Sequence, residues 1–214
     1  LKKQQAAFQK EAVRLGETLR EKRIQAAKEM ETDICEELRQ LDMPKIRFVC
    51  EFTPQEAAET GLDRVRFLMS ANVGEALKPL SKVASGGELA RIMLAMKQVL
   101  AQQDGVPTLI FDEVDAGVSG RAAQKVALKL WAVSKGRQVL CVTHLPQIAA
   151  MADAEFTVEK RVEHERTYTS VLHLDGSGRR QELARLIGGS MITETTLAGA
   201  AELLRLADEA KRGI

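Results

Sequence analysis

Two carboxylates close a short apolar run, Thr108-Leu109-Ile110-Phe111-Asp112-Glu113. A run of this kind reads as a buried strand, and in parallel α/β sheets ligands bind outside the carboxyl ends of the strands. Adjacent acids can divide the chemistry there. One holds a hydrated Mg²⁺, which takes a carboxylate together with waters and phosphate oxygens, while the other orients or deprotonates an attacking water. A glycine-punctuated turn, Val114-Asp115-Ala116-Gly117-Val118-Ser119-Gly120, leads into a helix expected from about Ser119 to Lys135, with Gly136 as its stop. A second apolar run, Gln138-Val139-Leu140-Cys141-Val142, then delivers Thr143 and His144. The unit is about thirty residues long, the size of a βαβ crossover between parallel neighbours. That places His144 on the same sheet edge as Asp112 and Glu113. Each feature alone has an ordinary reading, an acidic turn or a solvated histidine; their common edge favours a site.

Upstream, Ser85-Gly86-Gly87-Glu88 stands where an amphipathic helix begins. Two readings are open. Backbone N–H groups at a helix start are unpaired and carry the positive end of the dipole, so two glycines there let an anion approach closely. Ser85 and Glu88 also fit a capping box, in which each side chain satisfies the other's backbone donor.

Taken in order, Lys82 to Arg91, Phe111 to Gly120 and Val142-Thr143-His144-Leu145-Pro146-Gln147 resemble the signature motif, the Walker B strand with its D-loop, and the switch-histidine segment of ABC-type ATPases. The resemblance is to the SMC-like branch of that family, and most closely to its bacterial DNA-repair members. It implies an α/β fold, the C-terminal lobe of an ABC-type ATPase head with a P-loop NTPase-like sheet, flanking helices and an N-terminal coiled-coil helix. ATP and Mg²⁺ are the implied cofactors. Asp112 would hold Mg²⁺ through water, Glu113 would be the general base, His144 would contact the γ-phosphate, and Asp115 would couple two facing sites. Ser85, Gly86, Gly87 and Glu88 would close over ATP held by a second head, so the implied partner is another copy, forming a homodimer. The implied role is DNA double-strand break repair and recombination. The competing readings are another ABC head, such as a transporter nucleotide-binding domain, and a non-catalytic head-dimerisation module.

One departure stands out. The chain contains no G-x-x-x-x-G-K-[ST] loop, the cradle for the β and γ phosphates. It also begins at Leu1 within what reads as a helix, so a fragment is expected, inactive alone and completed by an N-terminal half that carries the loop.

The 214 residues, 45% hydrophobic and 29% charged, suffice for one domain with an appendage. A net charge of +1 supplies no electrostatic case for nucleic acid, so DNA enters through the resemblance alone. Cys35, Cys50 and Cys141 lack metal-ligand spacing and read as reduced. No apolar run is long enough to span a bilayer and no secretory signal is recognisable, which predicts a cytoplasmic protein without a membrane contact, and the resemblance implies that it is nucleoid-associated.

The elements that must position these residues follow from periodicity. Residues 1–42 predict a coiled-coil arm: Leu1, Phe8 and Leu15 recur every seven residues, and the seam resumes out of phase with Ile24, Ala27, Ile34, Leu38 and Leu41. Residues 43–214 predict the head half. Lys45 to Phe52 and Arg64 to Ser70 alternate as antiparallel strands, Glu155 to Lys160 and Thr167 to Leu174 as a hairpin, and the tail from Gly176 as two helices broken near Gly188 and Gly189. His164 and His173 carry no functional expectation.

Overall fold

Thirty-nine residues, Lys2–Gln40, form a single helix, α1. The structure, a computed structural model, describes residues 1–70, 74–82, 86–101, 103, 105–118, 120–163 and 166–213. It divides into two compact units, Leu1–Asp104 and Gly105–Ile214.

In the first unit, α1 buries Gly16, Ala27, Ile34 and Leu38. Their spacings correspond to whole helical turns at 3.6 residues per turn, so the four share one stripe. Residues 1–14 are exposed throughout, and Phe8 and Leu15 of the predicted seam remain open to solvent. The helix ends in a Schellman motif. Met43 N–H donates to Leu38 O at 3.0 Å, and Asp42 takes the left-handed conformation at φ 65°. Leu38, Leu41 and Met43 are buried at this corner, as the hydrophobic contact of the motif requires.

β1 (Arg47–Ala58) and β2 (Gly61–Ser70) pair antiparallel from Arg47 opposite Ser70 to Ala58 opposite Gly61, and β3 (Lys78–Pro79) adds to β2. This hairpin lies along α1 and covers the stripe. Near its tip, Arg23 Nη1 donates to Thr60 O at 2.8 Å, and Arg20 Nε stands 3.5 Å from the buried Asp63 carboxylate. Nearer the base, Cys50 N–H donates to Glu31 Oε1 at 2.6 Å. Burial, with Glu31 beside it, pushes the Cys50 thiol up to about 11. Gly16 permits the closest approach: a Cβ there would lie 2.6 Å from Leu62 Cγ.

After a 3₁₀ turn at Leu80–Lys82 comes α2 (Gly86–Val99), which packs on α1 and buries Ile92, Leu94 and Ala95. Arg91 is buried on the same helix. Burial lowers its pKa, and the charges of Glu88 and Asp42 oppose that effect. A carboxylate near Arg91 is a physical reason for aspartate at a corner where glycine would be less strained.

The second unit carries β4 (Thr108–Phe111), α3 (Gly120–Ser134), β5 (Gln138–Cys141) and the short α4 (Pro146–Ala150). β6 (Phe156–Glu163) and β7 (Arg166–His173) form an antiparallel hairpin, followed by α5 (Gly176–Gly188) and α6 (Glu194–Gly213). Asp175 caps α5 by accepting from Gly178 N–H at 2.7 Å, and Gly189 ends it at φ 72°. Arg179 donates to Ala152 O at 2.8 Å and to Glu155 Oε2 at 3.2 Å, which fastens α5 to the segment after α4. Arg179, only partly exposed, is therefore a structural tie. His173 is exposed beside Phe156, and His164 lies outside the described residues.

The Gly16–Leu62 approach has a testable sign. Gly16→Ala gains about 1 kcal/mol of helix propensity, but overpacking against Leu62 costs about 1–3 kcal/mol. Urea unfolding should show a net loss in the natural background and a gain in Leu62→Ala. The same sign in both would show that the hairpin tip does not bear on the helix.

Candidate functional site

β4 and β5 pair in parallel, Thr108 opposite Gln138 and Phe111 opposite Cys141. Val142 N–H extends the ladder by donating to Phe111 O at 3.0 Å. Parallel register brings both carboxyl ends to one edge, so the segments carrying Asp112 and Glu113 leave beside those carrying Thr143 and His144. Leu109 and Phe111 are buried, whereas Ile110, Leu140 and Val142 on the opposite face are exposed. The strands are thus half-buried instead of buried on both faces as their composition predicts, because only one side of this two-stranded sheet is covered.

Beyond Phe111 the backbone turns sharply. Asp112 Oδ1 accepts from Glu113 N–H at 2.9 Å, and Ala116 N–H donates to Glu113 O at 3.0 Å. Glu113 is held at φ 56°, a left-handed conformation that costs a non-glycine residue about 1 kcal/mol or more. Both acids are exposed, and the next two residues anchor them: Val114 is fully buried and Asp115 is 4% exposed.

Asp115 is the hub of the site. Its Oδ2 accepts from Thr143 Oγ1 at 2.5 Å and from His144 N–H at 3.0 Å, and His144 Nδ1 lies 3.1 Å from the same oxygen. Thr143 Oγ1 in turn accepts from Leu145 N–H at 3.1 Å. The imidazole remains 71% exposed. The sequence pattern puts Thr143 at the strand end and assigns it no role; its hydroxyl, two positions before Leu145, is the signal that marks it.

Among the described residues no three His, Cys, Asp or Glu side chains gather as a metal cage. Asp112 nevertheless fits Mg²⁺, because it is an exposed hard-oxygen donor and this ion commonly binds through one carboxylate plus waters and phosphate oxygens. Cys141 sits close by. Burial first, then the charges of Asp115 and Asp112, push its thiol up to about 12.

The signature segment belongs to the first unit. Gly86 starts α2, Gly87 is buried in its first turn and Glu88 follows as the first-turn acid. Ser85, with Val83 and Ala84, lies outside the described residues, as does Ser119 of the glycine-punctuated turn. The acids and histidine come together in the second unit.

The chain is 46% identical to the DNA repair protein RecN of Bacillus subtilis over 201 residues, covering 86% of this chain and 35% of that protein. The RecN of Vibrio cholerae is 45% identical over 194 residues, covering 90% and 35%. The chain belongs to the RecN family. It spans about a third of the length of these curated relatives. No protein-family model matches it. Among solved structures, an Smc head domain with a coiled coil and joint from Pyrococcus yayanosii aligns with a TM-score of 0.54 at 22% identity, covering 75% of this chain and 29% of that one. The fold is therefore that of an SMC-type ATPase head with a long N-terminal helix. Among the described residues no helix is long and apolar enough to cross a membrane.

Iodoacetamide at about pH 9 should leave Cys141 unmodified in the native chain and modify it after unfolding, because a thiol near 12 has only about one part in 10³ as thiolate there. The stability that the retained proton contributes is complete below the unfolded thiol's value and is lost as pH rises towards 12. Rapid native alkylation of Cys141, read by peptide mass, would contradict the raised thiol.

Proposed function

We propose that this chain is the C-terminal part of an SMC-like ATPase that acts in DNA double-strand break repair and recombination, hydrolysing ATP between two engaged heads. The observation that carries the reading is the common edge of two parallel strands, where Asp112 and Glu113 leave one strand and His144 leaves its neighbour. In a member of the RecN family, that edge is the hydrolytic half of a nucleotide site. Asp112 would hold Mg²⁺ through water, and the ion when bound would offset phosphate charge. Glu113 takes the proton of the attacking water, and its constrained backbone limits where that carboxylate can reach. His144 meets the γ-phosphate with the outward part of its ring.

Three further parts complete the proposal. The phosphate grip comes from a half of the protein that carries the G-x-x-x-x-G-K-[ST] loop, absent from these 214 residues. The open apolar face of Ile110, Leu140 and Val142 supports such a neighbour, since exposed apolar side chains in register gain by being covered. Ser85, Gly86, Gly87 and Glu88 face the nucleotide of a second copy, DNA is the polymer served, and the protein works in the cytoplasm.

In the full-length protein, Glu113→Gln should lower ATP turnover by roughly 10²- to 10⁴-fold, the usual contribution of a general base, while ATP-bound dimers accumulate. Turnover within a few-fold of the natural protein would remove Glu113 from the mechanism. Titration calorimetry of the 214-residue chain with Mg-ATP should show weak binding or none, and addition of the loop-bearing half should restore binding and a turnover that rises more than linearly with protein concentration. Tight binding by the chain alone would relocate the site; turnover per head independent of concentration, where heads are monomeric, would sink the two-head mechanism.

A further inference from the structure

Thr143 carries no step of the proposed hydrolysis, yet its hydroxyl is engaged in two directions. Oγ1 donates to Asp115 Oδ2 at 2.5 Å and accepts from Leu145 N–H at 3.1 Å. A hydroxyl has a single proton to give, so its donor is spent on Asp115. Acceptance from the N–H two positions on is a common local turn. The donation is not local, because Asp115 lies 28 positions away, is 4% exposed and also accepts the His144 backbone N–H at 3.0 Å. Each peptide group is planar, so a backbone is steered by fixing its peptide planes. The plane before His144 is held by its N–H on Asp115, and the plane after it by the Leu145 N–H on Thr143. The two holds are joined through the Thr143 hydroxyl. These planes set φ and ψ of His144, and with them the direction in which its side chain leaves the chain. Residues 142–145 belong to no helix or strand, so this restraint on His144 comes from side chains.

We infer that Thr143 is a positioning residue for the hydrolytic edge: its hydroxyl, braced on Asp115, holds the backbone of His144 so that the side chain leaves in one direction. That the held residue serves ATP hydrolysis rests on the ATPase reading; that Thr143 holds it does not. Holding matters because a misplacement of about 1 Å can cost about 10²-fold in rate. Two substitutions separate the hydroxyl from the rest of the side chain. Valine matches threonine in shape but would leave the Leu145 N–H without this acceptor and Asp115 without one of its donors. Serine keeps the hydroxyl, and with it both hydrogen bonds, and gives up only the methyl group. Because Leu145 precedes α4 directly, the same hydroxyl also fixes where that helix starts.

Two measurements test the halves separately. In amide hydrogen–deuterium exchange of the natural full-length protein, His144 and Leu145 should exchange at least about 10-fold more slowly than in an unstructured chain, since a held N–H exchanges only when its contact opens. Thr143→Val should remove the protection of Leu145, and Thr143→Ser should retain it. Unprotected His144 and Leu145 amides in the natural protein would overturn the inference, a result that needs no substitution able to unfold the chain. Protection of Leu145 that survives Thr143→Val would overturn it as well. In turnover, Thr143→Val should lower kcat for ATP by about 10- to 100-fold with KM changed less than about threefold, and Thr143→Ser should recover most of the loss. Added to His144→Ala, Thr143→Val should cost less than about twofold, because residues that act as a unit are not additive. Multiplicative losses would show Thr143 acting independently of His144 and overturn its positioning role. If His144→Ala leaves turnover intact, the ATPase reading of this histidine falls, and the exchange measurement alone then decides whether Thr143 holds its backbone.

Discussion

The parallel pairing of β4 with β5 is the constraint from which the candidate site follows. Four residue pairs, ending with Phe111 opposite Cys141, bring two distant stretches of sequence to a common edge. An antiparallel arrangement of the same strands would send Asp112 and His144 to opposite ends. The connection through α3 makes the parallel arrangement possible, since a crossover helix returns the chain to the starting side of the sheet. Leu109 and Phe111 are buried on one face, which fixes the register: a slip by one residue would expose them and bury Thr108 and Ile110 instead.

On that edge the chain spends conformational freedom unequally. Asp112 and Glu113 remain exposed, but Val114 and Asp115 lock the turn from behind, and Glu113 is held in a left-handed conformation. The lone-pair capacity of Asp115 Oδ2 is used to satisfy donors of the neighbouring strand end, so a buried carboxylate that would otherwise be costly becomes the joint between two loops. The result is an exposed imidazole on a constrained backbone, beside exposed carboxylates on another.

A different constraint governs the first unit. The stripe on α1 is covered by the chain's own hairpin from Gly16 onward, and the exposed seam residues Phe8 and Leu15 come before that cover begins. Gly16 allows Leu62 to approach, and the Schellman corner at Leu41–Met43 turns the chain into β1 while setting Asp42 near Arg91 of α2. The end of α1 and the helix α2 therefore share a corner and a set of charges.

The sequence by itself determined the periodic and local features: the long helix, both hairpins, the α3 crossover, and the two strands that carry Asp112, Glu113 and His144 to one edge. These are legible because apolar spacing and turn residues act over a few positions and need no knowledge of distant contacts. Only the tertiary structure decided that β4 and β5 leave Ile110, Leu140 and Val142 open, since burial of a strand's second face depends on what packs there and not on its composition. It also decided that the α1 stripe is covered by a hairpin from its own chain, and that Arg179 ties α5 to the segment after α4. Asp115 makes the same point within the site. Its place after Glu113 is local, but its work is done on Thr143 and His144, 28 and 29 positions away, and such a contact exists only once the two strands have paired.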